Sequence, residues 1–218
     1  MQPPFSEQAF FEVFVRYNQA IGAVPVVAWL LGAAAVALAL RPAPWSGRAI
    51  AAILSAFWAW MGLAYHIGPF AALNPPAYGF GALFVIEAVL LAAYGVVGNR
   101  LSFRPRRDLV GVIAFAMIAY GLVVYGLLGT ALGHAYPAAP LFGVAPCPTT
   151  VFTLGLLLLV APRPPLALMA IPLAWSAIGT SAAVYLGVTE DIGLGVAAAL
   201  AIAALVWQHR RPRSASAP

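Results

Sequence analysis

The chain has 218 residues, of which 63% are hydrophobic and only 8% charged, and its mean hydropathy is +0.94. A soluble domain carries about 25% charged and about 45–50% apolar residues, so this composition excludes an ordinary soluble globule and points to the lipid bilayer. The net charge of +5 comes from arginines with no lysine anywhere. No Schiff base can form, which excludes attached retinal or pyridoxal cofactors.

The first residues, MQPPFSEQAF, lack a basic stretch followed by an apolar core, so no cleavable signal peptide is expected. Residues 6–18 follow as a short amphipathic helix. Ser6 is its cap, and Phe10, Phe14 and Tyr17 fall on one face at helical spacing, which suits a helix lying on the outer membrane surface. A span needs about 20 apolar residues. Seven such segments occur, at about 22–40, 48–67, 77–98, 109–131, 148–162, 166–186 and 190–208. The chain therefore reads as an all-α transmembrane helix bundle, a single domain over 1–208, with a disordered cytoplasmic tail over 209–218.

The arginines fix its orientation. Arg41 and Arg48 lie between the first two spans. Arg100, Arg104, Arg106 and Arg107 lie between the third and fourth, and Arg163 between the fifth and sixth. Arg210, Arg211 and Arg213 follow the seventh, so with seven crossings all of these share one side and only Arg16 takes the other. The positive-inside rule puts that side in the cytoplasm, with the N-terminus outside. Topology thus accounts for the basic charge, and nucleic acid is not a partner; the lipid bilayer is. Trp29, Trp45 and Trp207 suit interfacial anchors, whereas Trp58, Trp60 and Trp175 lie too deep and should pack internally.

Polar side chains gather in the charge-poor outer loops, 68–79, 133–149 and 187–191. The lone cysteine stands there in Ala-Pro-Cys-Pro-Thr-Thr, residues 145–150. Pro148 suits a first helical turn, which makes Cys147 the cap and sets its thiol against the positive end of the helix dipole. Only 14 apolar residues, 149–162, follow before Arg163. They cover about 21 Å of a roughly 30 Å core, so the outer loop dips inward and Cys147 lies at the floor of an outward cavity. Thr149 and Thr150 flank it.

Glu87 is the only acid well inside a span, and an intramembrane carboxylate marks an inward-facing group. Ser55, Tyr120 and Ser176 lie at comparable depth as possible partners. His66, His134, Glu190 and Asp191 are the candidate ligands of a metal ion, without the tight spacing of established zinc motifs. Glu190 and Asp191 have a plainer reading, completing the dipole of a last helix capped by Thr189. Ser176, Thr180 and Ala183 make a stripe suited to close helix packing. No nucleotide, hydrolase or metalloprotease signature occurs, and the absence of CxxCH excludes covalent haem.

Four stretches, VRYNQAI (15–21), YHIGPFAALNPPAYGFG (65–81), FGVAPCPTTVFTLGLLL (142–158) and IPLAWSAIGTSAAVYLGVTEDIGL (171–194), together resemble an uncharacterised family of bacterial multi-pass membrane proteins. Its Pro-Cys-Pro-Thr run is the most specific piece. The resemblance implies a polytopic protein of the bacterial inner membrane, and it transfers no activity and no catalytic residue. The residues themselves favour a small transporter or ligand-binding protein with an outward polar pocket around Cys147 and Glu87, for a soft metal ion or small solute. Two alternatives stay open. One is a membrane metalloenzyme on the outer face. The other is a structural subunit that binds copies of itself or another membrane-complex partner.

Overall fold

Ser6 opens the first helix by accepting the Ala9 N–H on its Oγ at 3.2 Å. Helix α1 runs Glu7–Ile21 and ends at Gly22, whose φ of 55° is left-handed. The structure, a computed structural model, describes residues 5–210. After Gly22 the chain turns by 87° into α2, Val24–Leu40. Pro25 stands in the first turn of α2, where its missing N–H costs nothing, so the break belongs to Gly22 rather than to a proline kink.

The remaining helices are α3 (Ser46–Leu73), α4 (Ala77–Val97), α5 (Leu109–Ala131), α6 (Pro146–Leu158), α7 (Leu166–Leu186) and α8 (Thr189–Arg210). Three of them contain π-helical stretches, Met61–Phe70, Ala92–Val97 and Tyr120–Val124. Helices α3, α4, α5, α7 and α8 are each long and apolar enough to cross a membrane, and the bent pair α1–α2 makes a sixth if counted as one span. The expected first span is the 17 residues of α2, and the expected fifth is the 13 residues of α6. The protein is thus a nearly all-α, multi-pass membrane protein.

Helix α6 is short because it never meets lipid. Every residue from Pro146 to Leu158 is buried, so α6 forms a central pillar about 20 Å long. It packs on α5, α7 and α8. Trp58 ties α3 to it by donating to Thr153 Oγ1 at 3.1 Å. The tryptophans divide as their depth suggests: Trp29, Trp45 and Trp207 are exposed on the outside of the bundle, while Trp58 and Trp175 are buried.

The loops gather at two ends. At one, strand β1 (Ser102–Phe103) pairs antiparallel with β2 (Val160–Ala161), and Arg104 N–H donates to Leu159 C=O at 2.9 Å. Gly47 packs on the Leu101 backbone there, and Leu166 lies beside His209 and Arg210. The arginine-bearing loops therefore meet. At the other end, residues of the 68–79, 133–149 and 187–191 loops surround one cavity.

Two boundaries differ from expectation. His209 and Arg210 still belong to α8, so the helix runs past the point where a tail was expected; residues 211–218 lie outside the described ones. Helix α1 does not rest on a membrane surface by its apolar face. Phe14, Tyr17 and Asn18 are buried against the bundle. Asn18 Nδ2 donates to Pro137 C=O at 2.7 Å and to Ala139 C=O at 2.8 Å, and Tyr17 Oη donates to Val144 C=O at 3.1 Å. Unpaired carbonyls of the 133–145 loop drew the helix inward, because a loop that dips into protein must have its backbone groups satisfied.

Asp108 caps α5 by accepting from Gly111 N–H at 3.0 Å, and Arg106 grips its two oxygens at 3.1 and 2.7 Å. Hydrogen bonding to Arg106, aided by the Gly111 N–H, holds this carboxyl below the usual carboxylate range. A depressed folded-state pKa stabilises above the ordinary value of about 4, and that contribution is lost as pH falls through the folded value. Asp108→Ala is accordingly expected to cost about 1 kcal/mol at neutral pH. Thermal unfolding in micelles from pH 7 to pH 3 should show the deficit shrinking; an undiminished deficit at low pH would show that charge plays no part.

Candidate functional site

The cavity between α1, α3, α4, α6, α7 and the start of α8 has a volume of about 240 Å³. Aromatic rings form most of its wall. Phe10 and Phe14 come from α1, Tyr65 and Phe70 from the π-helical part of α3, Phe80 from α4 and Trp175 from α7. Phe14 stacks on Tyr65 at 5.1 Å, Tyr65 stacks on Phe70 at 5.4 Å, and Phe80 meets Trp175 edge-on at 5.5 Å. Gly68, outside helical geometry beside Pro69, breaks α3 just where its aromatics reach α1.

Cys147 and Asp191 are among the polar groups at its wall, with Asn74 and the tyrosines Tyr65 and Tyr185. Cys147 lines the cavity, as its place in the sequence suggested, yet it is not the cap. Ala145 holds the cap position in extended geometry and Pro146 takes the first helical position, because either proline can start the helix and the upstream one does. The Cys147 thiol lies at the same wall as the Asp191 carboxylate. Tyr125 Oη donates to Asp191 Oδ1 at 2.6 Å. Asp191 is 3% exposed, and α5, α6 and α8 converge on it. The Trp175 indole N–H sits beside the Cys147 sulfur without the alignment of a hydrogen bond; both atoms flank Gly179, where a side chain would intrude.

Glu190, next in the chain and fully buried, turns the other way. Its Oε1 meets His134 Nδ1 at 2.6 Å, while His134 Nε2 lies 3.8 Å from Glu7 Oε1 and Phe11 stacks on the imidazole at 4.1 Å. This chain of contacts pins α1 across the top of α8. Thr189 does not cap α8; Thr189–Asp191 form a 3₁₀ turn, and Tyr120 Oη donates to Glu190 C=O at 2.6 Å.

The other expected site residues lie elsewhere. Thr149 Oγ1 accepts from Gly143 N–H and donates to Ala145 C=O, both at 2.8 Å, so it shapes the loop entering α6. Ser176 donates to Pro172 C=O at 2.8 Å within its own helix. Thr150 is buried with its hydroxyl unpaired. Thr180 of the small-residue stripe meets Gly195 of α8, as close packing requires. His66 is fully buried in a box of Tyr65, Phe70, Phe80, Phe84 and Trp175, and neither ring nitrogen has a partner among the described residues.

Glu87 is fully buried too, with both carboxyl oxygens unpaired, but it does not line the cavity. It lies seven residues beyond Phe80 on α4, about 10 Å deeper along the helix. Its expected partners are engaged otherwise: Ser55 donates to Ala88 C=O at 2.8 Å, Tyr120 to Glu190 and Ser176 to Pro172. The expected metal set does not assemble either. Among the described residues no three His, Cys, Asp or Glu side chains converge as a metal ion needs, because His66 lies in its aromatic box and Glu190 turns away from Asp191.

Sequence reasoning missed the aromatic wall and the meeting of Cys147 and Asp191 at one cavity. Phe10 and Phe14 were legible only as an apolar face, and nothing local links residue 147 to residue 191.

No curated protein and no solved structure matches this chain. The family model of DUF6064, a family of unknown function, matches residues 7–216, and the chain belongs to that family.

Proposed function

We propose that this protein crosses the bacterial inner membrane seven times, N-terminus outside and C-terminus cytoplasmic, and binds a small solute in the cavity beneath α1, as a transporter or ligand-binding protein. The observation that carries this reading is the cavity itself: about 240 Å³, built from six helices, with a buried thiol and carboxylate at its wall. Ligand sites are concave and mostly apolar, with a few placed polar groups. The orientation draws support from the arginine loops, which meet at the end opposite the cavity. A short α6 supports it as well, since a broken, Pro-led helix beginning inside the protein is how membrane solute sites are commonly framed.

Cys147 reports on the cavity directly. Intact cells should be treated with a membrane-impermeant maleimide, with Cys147→Ala as the blank. Modification from outside, slowed because Cys147 is 9% exposed, is the expected result. Modification only from the cytoplasmic side would reverse the orientation, and none before denaturation would close the cavity to solutes.

A further inference from the structure

The cavity's chemistry selects among solutes. Among the residues lining it, Asp191 is the only Asp, Glu, His or Arg. Tyr125 Oη points at its carboxyl at 2.6 Å, and a donated hydrogen bond favours the ionised form. Neighbouring charges reinforce the sign: Glu190 and Glu7 flank the single imidazole of His134, and no arginine lies at the cavity wall. A buried carboxylate without a cationic partner is costly. Much of the rest of the wall is aromatic, and ring faces attract cations while offering an anion nothing. A bare metal ion fits poorly, because apolar walls leave it short of ligands.

Resting on the reading of this cavity as a ligand site, we infer that its occupant is a compact organic cation, an ammonium carrying apolar substituents. Its charge sits against Asp191, and its body lies among Phe10, Phe14, Tyr65, Phe70 and Trp175. This replaces the soft metal ion suggested by the lone thiol.

Isothermal titration of the full chain in micelles tests this with two probes of nearly equal shape, benzyltrimethylammonium and the neutral 2-methyl-1-phenylpropan-2-ol. The cation should bind at least roughly ten-fold more tightly than the alcohol. Asp191→Asn should remove most of that preference. Phe70→Leu, which keeps the wall apolar but deletes a ring face, should weaken the cation several-fold and leave the alcohol unchanged; this second variant answers the question if Asp191→Asn fails to fold. Equal binding of both probes, indifferent to Asp191→Asn, would overturn the cationic ligand while leaving the cavity a solute site. Binding of neither, with Cys147 still modified from outside, would also overturn it, and again leaves the accessible cavity intact.

Discussion

Gly155→Leu is expected to prevent the protein from accumulating in folded form, whereas Gly126→Ala should be harmless. Both glycines are helical, so propensity alone makes each replacement favourable by up to about 1 kcal/mol. Surroundings decide the sign. A Cβ built on Gly155 would stand 2.8 Å from Ala114 C=O, 2.9 Å from Ile118 Cγ1 and 3.0 Å from Ile118 N, so backbone of α5 blocks it. Backbone cannot rotate out of the way as a side chain can. Even alanine must push α5 outward, at a cost of about 1–3 kcal/mol for the first carbons, and leucine adds three more. The pillar helix α6 is buried along its whole length, so no displacement is available that does not disturb another contact. Gly126 has nothing within 4 Å. Yield and melting temperature in the same detergent separate the two; a Gly155→Leu protein as stable as the parent would mean that α5 and α6 are not in such close contact.

That contact also marks where sequence reading stops. Apolar runs and the placement of Arg41, Arg48, Arg100, Arg104, Arg106, Arg107 and Arg163 are one-dimensional signals, and they sort loops into two ends, as the β1–β2 pairing and the cavity do in three dimensions. Ser6 as the cap of α1 was legible for the same reason, since its partner Ala9 is three residues away. The fate of α1 was not. Its apolar face reads alike whether it meets lipid or protein, and only the folded 133–145 loop, more than a hundred residues on, offers Asn18 and Tyr17 the carbonyls they take. Cys147 was legible as a residue near a helix start at the floor of a cavity. Its meeting with Asp191 was not, because Glu190 and Asp191 are adjacent acids and only the 3₁₀ turn sends one to the cavity and the other to His134.

Glu87 separates stability from function most sharply. Its carboxyl is buried with neither oxygen paired among the described residues, and Ser55, Tyr120 and Ser176, the partners the sequence suggested, are bonded elsewhere. A buried polar group without a partner costs about 1–3 kcal/mol even in its uncharged form. Glu87→Leu should therefore raise the melting temperature of the purified protein, by an amount equivalent to about 1–2 kcal/mol. Violations of local packing rules concentrate at functional positions, so a role in the cell is the expectation for Glu87. The leucine variant should be more stable yet defective in the cell, the expected trade between stability and activity. Because Glu87 lies about 10 Å deeper than Phe80, the same variant should bind benzyltrimethylammonium as tightly as the parent. Asp191→Asn should show the opposite pattern, with lost binding and no gain in stability, because Asp191 already has Tyr125 as a donor. A lower melting temperature for Glu87→Leu would mean that the acid is held by a structural partner, and the interior task would then fall to the other unpaired group at hand, His66.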